Sequence, residues 1–381
     1  MKYYYLVNNL NTTVFDSQFL GWIKEYEKEG FYFDIIFIIT GIKSYFRNLR
    51  SLVQKSKTVS KKIEGKVIHS SPTSFGSVFG FISLFFILFR SIIKKEKILI
   101  QVSSSSWCKS ISFLKYIYPN VYIVYDAIGA SAEKYLLSDK PYEVKIKKFN
   151  KILKMQIEQT HLADKVIVVS NKLKQYLLKK DVTIDENKIE VVSCSADDTA
   201  FYFDESIRMK FRKELKIDNK KVFIYCGSLD KLWQIPDFIF SVYALIQKHH
   251  NNSFFIILTP NKEIVNKYLE KHNIDKTSIC TKYVRNDEIN NYLCASDMAF
   301  LFRDDVPTNN VAAPTKFSEY TLSGLPTMIS KNVGDFSEFV DKHEIGLTVN
   351  SDLINIEEQI KELNIALYDR ENIAELGKAN F

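Results

Sequence analysis

The chain has 381 residues, of which 46% are hydrophobic and 25% are charged, so its composition excludes a disordered or fibrous protein. This length exceeds one comfortable hydrophobic core, and we expect two domains of about 190 residues each. The five cysteines are dispersed, with no CxxC pair and no metal-ligand spacing. That pattern excludes a disulfide scaffold and favours reduced thiols in the cytoplasm.

The charge is unevenly distributed along the chain. Residues 1–199 hold 30 Lys and Arg against 19 Asp and Glu, a net of +11, whereas the remainder holds 22 against 26, a net of −4. A basic first half predicts an anionic partner, for which a membrane surface, a lipid-pyrophosphate acceptor and nucleic acid are candidates. A solvated, lysine-rich surface without any partner fits the same charge count.

The first half alternates predicted strands with predicted helices, which indicates a parallel α/β sheet. Lys55–Lys66 is polar and predicts an exposed loop, whereas Gly76–Ile93 is strongly apolar. The apolar run is too short for a membrane span and contains Arg90. A buried helix and an amphipathic helix that dips into a membrane both remain open for it. The predicted strands are Tyr3–Val7, Phe33–Ile39, Val67–His69, Ile98–Val102, Val121–Tyr125, 163–170 and Ile189–Cys194.

The same alternation continues in the second half, from the predicted strand Val222–Cys226 onward. Gly227 directly follows that strand, and a glycine there lets a ligand approach the backbone closely. Residues 304–310 are predicted to be a loop. Ligands of parallel sheets bind beyond the C-terminal ends of the strands, so the loop Asn8–Asn11, which follows the first predicted strand, is a candidate for the rim of a binding site.

Residues 311–330 carry the strongest signal. Pro314 suits the first turn of a helix, Thr315–Leu322 is the predicted helix, and Gly324 ends it. A helix start presents free N–H groups and partial positive charge, Lys316 adds a full charge, and Glu319 lies one turn further on. This combination suits a nucleoside diphosphate that carries a sugar. The alternative interpretation is an ordinary capped helix with Glu319 on its solvated face.

The segment Pro314–Tyr320, followed by Ser323-Gly324-Leu325-Pro326, resembles the donor-site signature of GT-B glycosyltransferases of the large retaining family 4. Bacterial enzymes that build surface polysaccharides are the nearest match. The resemblance implies an α/β protein of two Rossmann-like parallel-sheet domains facing across a cleft. Residues 1–200 would form the acceptor side and residues 201–381 the nucleotide-sugar donor side. The final helix that crosses back to the first domain in this family is missing or truncated here.

The resemblance also implies roles for particular residues. Glu319 and Lys316 would act at the donor, and Asp126, with Glu133, at the acceptor. The first glutamate of the family pattern falls on Val311, so the backbone amides of 311–313 would replace it. The implied donor contacts are Gly227, Ser228, Lys231, Trp233, Arg285, Arg303, Val311, Ala312, Ala313, Pro314 and Thr315.

The implied reaction moves a sugar from a nucleoside diphosphate, with UDP favoured, to a glycan or lipid-linked acceptor. We expect retention at the anomeric carbon, no cofactor other than the sugar nucleotide, and no metal, since the sequence contains no Asp-x-Asp triplet. The expected location is the cytoplasm, with peripheral attachment to the inner face of the membrane. Two rival functions stay open: a non-catalytic GT-B partner subunit that binds sugar nucleotide, and a nucleic-acid-binding protein, which lacks a known motif here.

Overall fold

The computed structural model describes residues 1–7, 15, 19–37, 42–69, 77–231, 233–350 and 355–381. The chain divides into two compact units, Met1–Val192 and Ser193–Phe381. Each unit contains one parallel sheet covered by helices, which confirms the predicted α/β class. No helix among these residues has both the length and the apolar character needed to traverse a bilayer.

The first unit is built on a seven-stranded sheet in the order β3-β2-β1-β4-β5-β6-β7. Every neighbouring pair is parallel. Its strands are β1 (Lys2–Val7), β2 (Phe33–Phe37), β3 (Val67–His69), β4 (Ile98–Val102), β5 (Val121–Ala127), β6 (Lys165–Val168) and β7 (Ile189–Val191). Its helices are α1 (Leu20–Lys28), α2 (Ile42–Ser60), α3 (Ser77–Ile93), α4 (Cys108–Ile117), α5 (Tyr142–Leu162) and α6 (Asn171–Lys180).

The predicted loop at Lys55–Lys66 is wrong for its first half, because α2 continues to Ser60. Val59, near the end of this helix, is buried in the same core as β1, β2 and α1, and Ile63 joins that core just beyond the helix. Burying these two apolar residues outweighs the polar character of the lysines around them. The lysines project into solvent and masked the amphipathic pattern in the sequence.

The second unit is built on a six-stranded parallel sheet in the order β10-β9-β8-β11-β12-β13. Its strands are β8 (Lys221–Cys226), β9 (Ser253–Leu258), β10 (Ile279–Lys282), β11 (Met298–Leu301), β12 (Thr327–Ser330) and β13 (Gly346–Val349). Its helices are α7 (Glu205–Leu215), α8 (Pro236–His249), α9 (Lys262–Lys271), α10 (Ile289–Ala295), α11 (Pro307–Asn310), α12 (Thr315–Leu322), α13 (Phe336–His343), α14 (Ile356–Glu362) and α15 (Arg370–Asn380).

The second sheet is buried on both faces, which explains why its strands are apolar without alternation. One face packs aromatic rings together: Phe300 on β11 lies 5.5 Å from Phe223 on β8 and 5.3 Å from Phe255 on β9, between ring centroids. A rigid core of this kind fixes the strand ends from which the functional loops emerge.

The strand order places a topological switch point in each unit. In the second unit β8 is flanked by β9 on one side and β11 on the other, so the chain leaves neighbouring strands in opposite directions. Ligands of open α/β sheets bind at such a crevice. Gly227 follows β8 there and Arg303 follows β11. In the first unit the switch lies between β1 and β4, and the predicted acceptor loop Asn8–Asn11 falls outside the described residues.

Candidate active site

Helix α12 begins beside the switch point of the second unit. Pro314 is its N-cap, with φ −66° and ψ 123°, and the helix starts at Thr315, as predicted. The backbone N–H groups of Thr315 and Lys316 donate to no described residue. These two donors and the helix dipole together favour an anion at this end.

Lys316 and Glu319 form an ion pair on the first turn of α12. Lys316 Nζ donates to Glu319 Oε2 at 2.7 Å, and the Glu319 side chain is only 5% exposed. Burial by itself lowers the pKa of Lys316, but the Glu319 carboxylate outweighs it and holds that pKa above its ordinary value. Glu319 Oε1 accepts no hydrogen bond from the described residues, so it can still accept one from a ligand hydroxyl.

Arg303, just beyond β11, is a largely buried cation without a partner of opposite charge. Its backbone N–H donates to Ser330 Oγ at 2.9 Å, which fixes the main chain. Its guanidinium makes no ion pair or hydrogen bond with any described residue, and burial lowers its pKa. A desolvated, unpaired guanidinium is unfavourable in isolation and is relieved when an anion binds. This is the clearest sign of an anion site in the second unit.

Tyr320 and Cys226 connect Arg303 to Lys316. The Cys226 backbone N–H donates to Tyr320 Oη at 3.2 Å. Burial raises the pKa of the Cys226 thiol to about 12, and Lys316 and Glu319 both act on it electrostatically. Tyr320 in turn interacts electrostatically with Arg303. Two cations, one carboxylate and two free amides therefore belong to one cluster, which we call the α12 cluster (Cys226, Arg303, Thr315, Lys316, Glu319 and Tyr320).

The loop after β8 passes next to this cluster. Gly227 has φ +151°, a conformation that side-chain-bearing residues rarely adopt, and it therefore brings bare backbone to the switch point. Ser228 Oγ is engaged with Asp230 and lies 3.1 Å from Asn261 Oδ1. Lys231 is 51% exposed and pairs with Asp230 at 3.3 Å. Ser228 and Lys231 are thus occupied by this acidic neighbour at the surface.

Asn309 organises the segment before α12. Its Nδ2 donates to the carbonyls of Trp233 at 3.2 Å and Asp304 at 2.9 Å. Its own carbonyl accepts from the amides of Ala312 at 3.0 Å and Gly334 at 3.2 Å. The Ala312 amide is therefore already used and cannot replace the missing glutamate as predicted. The segment 304–310, expected to be a loop, contains the short helix α11 that carries Asn309.

Other positions around this segment are also fixed. The Val311 side chain is buried, so the position of the family's first glutamate holds an apolar group. Ala313 precedes the N-cap and its amide donates to no described residue. Gly334 packs so closely that a Cβ there would lie 1.9 Å from the Ala312 carbonyl oxygen. The segment that precedes α12 is thus fixed by the contacts of Ala312 with Asn309 and with Gly334.

Arg285 lies apart from the α12 cluster. Its side chain is 78% exposed and forms ion pairs with Asp287 at 3.2 Å and Glu288 at 3.5 Å. Both partners belong to its own turn, so its charge is screened locally.

Asp126, predicted as a catalytic residue, belongs to the first unit, whereas the residues of the α12 cluster belong to the second. It is fully buried at the end of β5, and Tyr5 Oη donates to its Oδ2 at 2.6 Å. Burial raises the pKa of this carboxyl to about 7, and its Oδ1 has no partner among the described residues. Glu133 is also buried, bonded by Tyr176 Oη at 2.9 Å and Lys180 at 3.2 Å. Both acids are therefore buried side chains with hydrogen-bond partners inside the first unit.

Three functional positions escaped the sequence analysis. Tyr320 lies four residues after Lys316, hence on the same helix face, and that spacing is the signal that could have found it. Asn309 and Ser330 act on main-chain groups that are distant in sequence, so no local pattern marks them. Among the described residues, no three His, Cys, Asp or Glu side chains are grouped as metal ligands would be.

A cavity of about 350 Å³ lies at the N-terminal ends of the strands of the second sheet, opposite to the α12 cluster. Its wall includes Lys221 at the start of β8 and Asp297 just before β11, so it opens at the N-terminal strand ends. The arginines there already have partners: Arg208 pairs with Asp297, and Arg370 donates to five backbone carbonyls. This cavity therefore lacks the unpaired charge that marks the α12 cluster.

Comparisons with known proteins agree with this geometry. Residues 206–380 match the family model described as Glycosyl transferases group 1. No curated protein matches the chain by sequence. Among solved structures, HepE from Anabaena in complex with UDP and glucose is 16% identical with a TM-score of 0.67, covering 100% of this chain and 95% of that one.

Two further structures are similar over their whole length. Sucrose-phosphate synthase from Thermosynechococcus elongatus is 14% identical with a TM-score of 0.69, covering 100% of this chain and 95% of that one. A glycosyltransferase from Rickettsia africae is 17% identical with a TM-score of 0.65, covering 100% and 94%. These likenesses confirm the predicted GT-B fold. The chain thus has the GT-B fold, and its residues 206–380 match the glycosyl transferases group 1 model.

Proposed function

We propose that the protein is a glycosyltransferase that moves a sugar from a nucleoside diphosphate to a glycan or lipid-linked acceptor. The group 1 domain and the UDP bound by HepE support a nucleotide-sugar donor, with UDP favoured as its nucleotide. The proposed role is polysaccharide synthesis in the cytoplasm, with retention at the anomeric carbon and without metal. The basic first half of the chain supports an acceptor that carries phosphate.

One observation carries the proposal: Arg303, at the topological switch point, is desolvated and its guanidinium has no ionic partner among the described residues. Lys316 and the free amides that start α12 belong to the same cluster. A diphosphate placed there would gain two cations and a helix N-terminus without displacing any existing bond of Arg303. Charge-assisted hydrogen bonds of this type are the strong ones in proteins.

The reaction follows from the same placement. As the bond between the anomeric carbon and the diphosphate oxygen breaks, negative charge grows on the nucleoside diphosphate. Arg303, Lys316 and the α12 amides would stabilise that charge in a partly desolvated site, which is electrostatic stabilisation of the leaving group. Glu319 Oε1 would accept a hydrogen bond from a sugar hydroxyl and orient the ring. The departing phosphate would accept the proton of the acceptor hydroxyl that forms the new glycosidic bond.

The direct test is binding of UDP-glucose, followed by the shift in melting temperature and by titration calorimetry. UDP-glucose should stabilise the wild-type protein, with weaker effects of GDP-glucose and ADP-glucose. Arg303→Ala and Lys316→Ala should each weaken UDP-glucose binding about 10-fold to 100-fold, the range for a lost hydrogen bond to a charged group. Lys213→Ala, which removes an exposed lysine on α7, is the matched control and should bind like the wild type.

Equal binding by Arg303→Ala and the wild type would contradict the site. Arg285→Ala adds a second comparison, because that arginine is exposed and paired within its own turn. It should lower the affinity less than threefold, on the order of a surface ion pair.

A non-catalytic, sugar-nucleotide-binding GT-B subunit is the second candidate function. It is favoured by Val311, a buried apolar residue at the position where the resembling family has a glutamate. A site without that carboxylate retains its diphosphate contacts but loses one contact to the sugar. Incubation with UDP-glucose and analysis of released UDP separates the two: slow hydrolysis or transfer by the wild type, lost in Lys316→Ala, supports the enzyme. Tight binding with no UDP release over many hours supports the subunit.

A further inference from the structure

Helix α3 carries apolar residues on both its buried and its exposed side. Leu84 and Leu88 are buried against the first unit. On the opposite side four large apolar residues face solvent, with exposed fractions of 40%, 70%, 45% and 63% for Ile82, Phe86, Phe89 and Ile93. Their spacing of four, three and four residues places them in one stripe. A helix that is hydrophobic on both faces buries its outer face against something else.

Helix α4 widens this stripe. Phe113, Tyr116 and Ile117 are 50%, 83% and 47% exposed at helical spacing. Phe113 meets Phe81 of α3 edge-to-face, with ring centroids 4.5 Å apart, so the two helices present one continuous surface. We call it the α3–α4 face and define it as Ile82, Phe86, Phe89, Ile93, Phe113, Tyr116 and Ile117. Single exposed apolar residues are ordinary, but seven in one place are not.

The charges around the α3–α4 face have one sign. Residues 77–117 contain six basic side chains and a single acid, Glu96. Lys115 is paired with Asp164 at 2.6 Å, whereas the other basic residues are exposed: Arg90, Lys94, Lys95, Lys97 and Lys109. A surface with aromatic and aliphatic side chains in its middle and lysines at its border matches the boundary between headgroups and acyl chains of an anionic bilayer.

We propose that the α3–α4 face docks the protein onto an anionic lipid bilayer. A second copy of the chain fits less well, because a symmetric pair would bring the same basic border against itself without compensating acids. The helix lies in the plane of the interface and does not cross it, since α3 has 17 residues with Arg90 among them. Phe86, Phe89 and Tyr116 enter the acyl boundary while the basic residues contact lipid phosphates. This surface shares no residue with the α12 cluster, and its test does not depend on sugar transfer.

The experiment is sedimentation of the full chain with vesicles of phosphatidylcholine, alone or mixed with phosphatidylglycerol. The wild type should bind the mixed vesicles and bind the neutral ones much more weakly, with binding reduced by added salt. The double variant Phe86→Ser/Phe89→Ser should reduce binding to the mixed vesicles at least tenfold. Val182→Ser, which removes an 87% exposed apolar residue from the same unit, is the matched control and should bind like the wild type.

A second variant separates charge from apolar contact. Arg90→Ala/Lys94→Ala keeps every residue of the α3–α4 face and should lower the affinity for mixed vesicles about fivefold per removed charge. Phe86→Trp supplies a direct signal, because its fluorescence should shift to shorter wavelength on addition of mixed vesicles, while Val182→Trp should not shift. Melting temperatures of all variants should stay near that of the wild type, since the changed side chains are exposed.

The proposal is overturned if the wild type stays in the supernatant with mixed vesicles, or if the double serine variant binds them as well as the wild type does. It is also overturned if the wild type is a dimer in solution that Phe86→Ser/Phe89→Ser converts to a monomer, because a second copy would then occupy the face. Sugar-nucleotide binding in the same preparations is scored separately, so a failure of the lipid proposal is distinguishable from a failure of the proposed function.

Discussion

Arg303 and Lys316 carry the same charge but are held differently. Lys316 has a carboxylate at 2.7 Å and is stable without a ligand. Arg303 has no such partner among the described residues and is the group whose free energy improves most when an anion arrives. In the proposed function the arginine would therefore contribute most to the affinity for the diphosphate, and the lysine would couple that anion to Glu319.

This difference predicts the effect of Glu319→Gln. The change keeps an acceptor oxygen but removes the negative charge beside Lys316, so the net charge of the α12 cluster rises by one. UDP alone should bind at least as tightly as it does to the wild type. Sugar transfer or donor hydrolysis should fall about tenfold or more, because the contact to the sugar is weakened. Calorimetry with UDP and an assay of UDP release measure the two effects.

Glu375→Gln is the control for this experiment, because Glu375 is an exposed acid paired only with Lys378. It should change neither UDP affinity nor turnover. A parallel loss of UDP binding and turnover in Glu319→Gln would show that the glutamate supports the diphosphate and not the sugar.

Asp126 predicts a pH dependence of stability in the first unit. Its pKa is raised from 3.8 to about 7 by burial, so the folded protein binds a proton that the unfolded chain has released between those values. Stability should therefore fall as the pH rises from about 4 to about 7, by on the order of 4 kcal/mol for this group. Asp126→Asn keeps an acceptor for Tyr5 and removes the charge. It should raise the free energy of unfolding at pH 8, and this gain should shrink toward pH 5.

Urea unfolding of wild type and variant at several pH values measures this effect. Asp139→Asn, at an exposed position of the same unit, should leave the curve unchanged. If Asp126→Asn were less stable than the wild type at pH 8, the buried carboxylate would be a stabilising partner and not a cost.

At the scale of elements, α12 is where sequence and structure agree best. Its bounds, Thr315–Leu322, match the prediction because Pro314 and Gly324 mark its ends by their own backbone geometry. Helix α2 was missed because its apolar residues are few and lie among lysines. Prolines and glycines that mark helix ends can be recognised in a sequence, whereas an apolar helix face with few residues among many lysines cannot.

The start of β11 depends on Asp297, which directly precedes the strand. Its backbone N–H donates to the Val222 carbonyl at 2.7 Å, and its Oδ2 accepts from the Val222 amide at 2.7 Å. Arg208 and Arg212 both pair with its carboxylate. Asp297 thus joins β8 to β11, the two strands of the switch point.

Asp297→Ala is therefore predicted to destabilise the second unit by about 3–5 kcal/mol, because it leaves two buried arginines without their carboxylate. Chemical denaturation measures the loss. Below the unfolding transition, affinity for UDP-glucose should remain close to that of the wild type, since Asp297 lies at the opposite strand ends. Asp341→Ala, at an exposed position of α13, is the control and should cost less than 0.5 kcal/mol, as surface changes usually do. A stable Asp297→Ala protein with weakened UDP-glucose binding would contradict this division.

At the scale of the molecule, the alternation of strands and helices was sufficient to predict parallel sheets, the chain length predicted two domains, and the resemblance at residues 314–326 implied the GT-B fold. The candidate site was only partly predictable. Lys316 and Glu319 are one helical turn apart, so their pairing could be predicted from their spacing in the sequence. Arg303, in contrast, becomes significant only because its neighbours are Tyr320 and Tyr225 and no described carboxylate pairs with it, and those neighbours come from separate elements. Absence of a partner is a property of three-dimensional packing, and a sequence cannot display it.

The contact between α12 and α15 has a consequence for variation at a distance. Gly377 on α15 crosses α12 so closely that a Cβ there would lie 2.9 Å from the Leu322 nitrogen and 2.9 Å from the Thr321 carbonyl carbon. Any larger residue must push the two helices apart, and the one displaced carries Lys316 and Glu319. Replacing Gly377 by alanine would thus alter substrate preference without any contact between residue 377 and the substrate. Position 377 is therefore a place where close homologues can diverge in substrate preference.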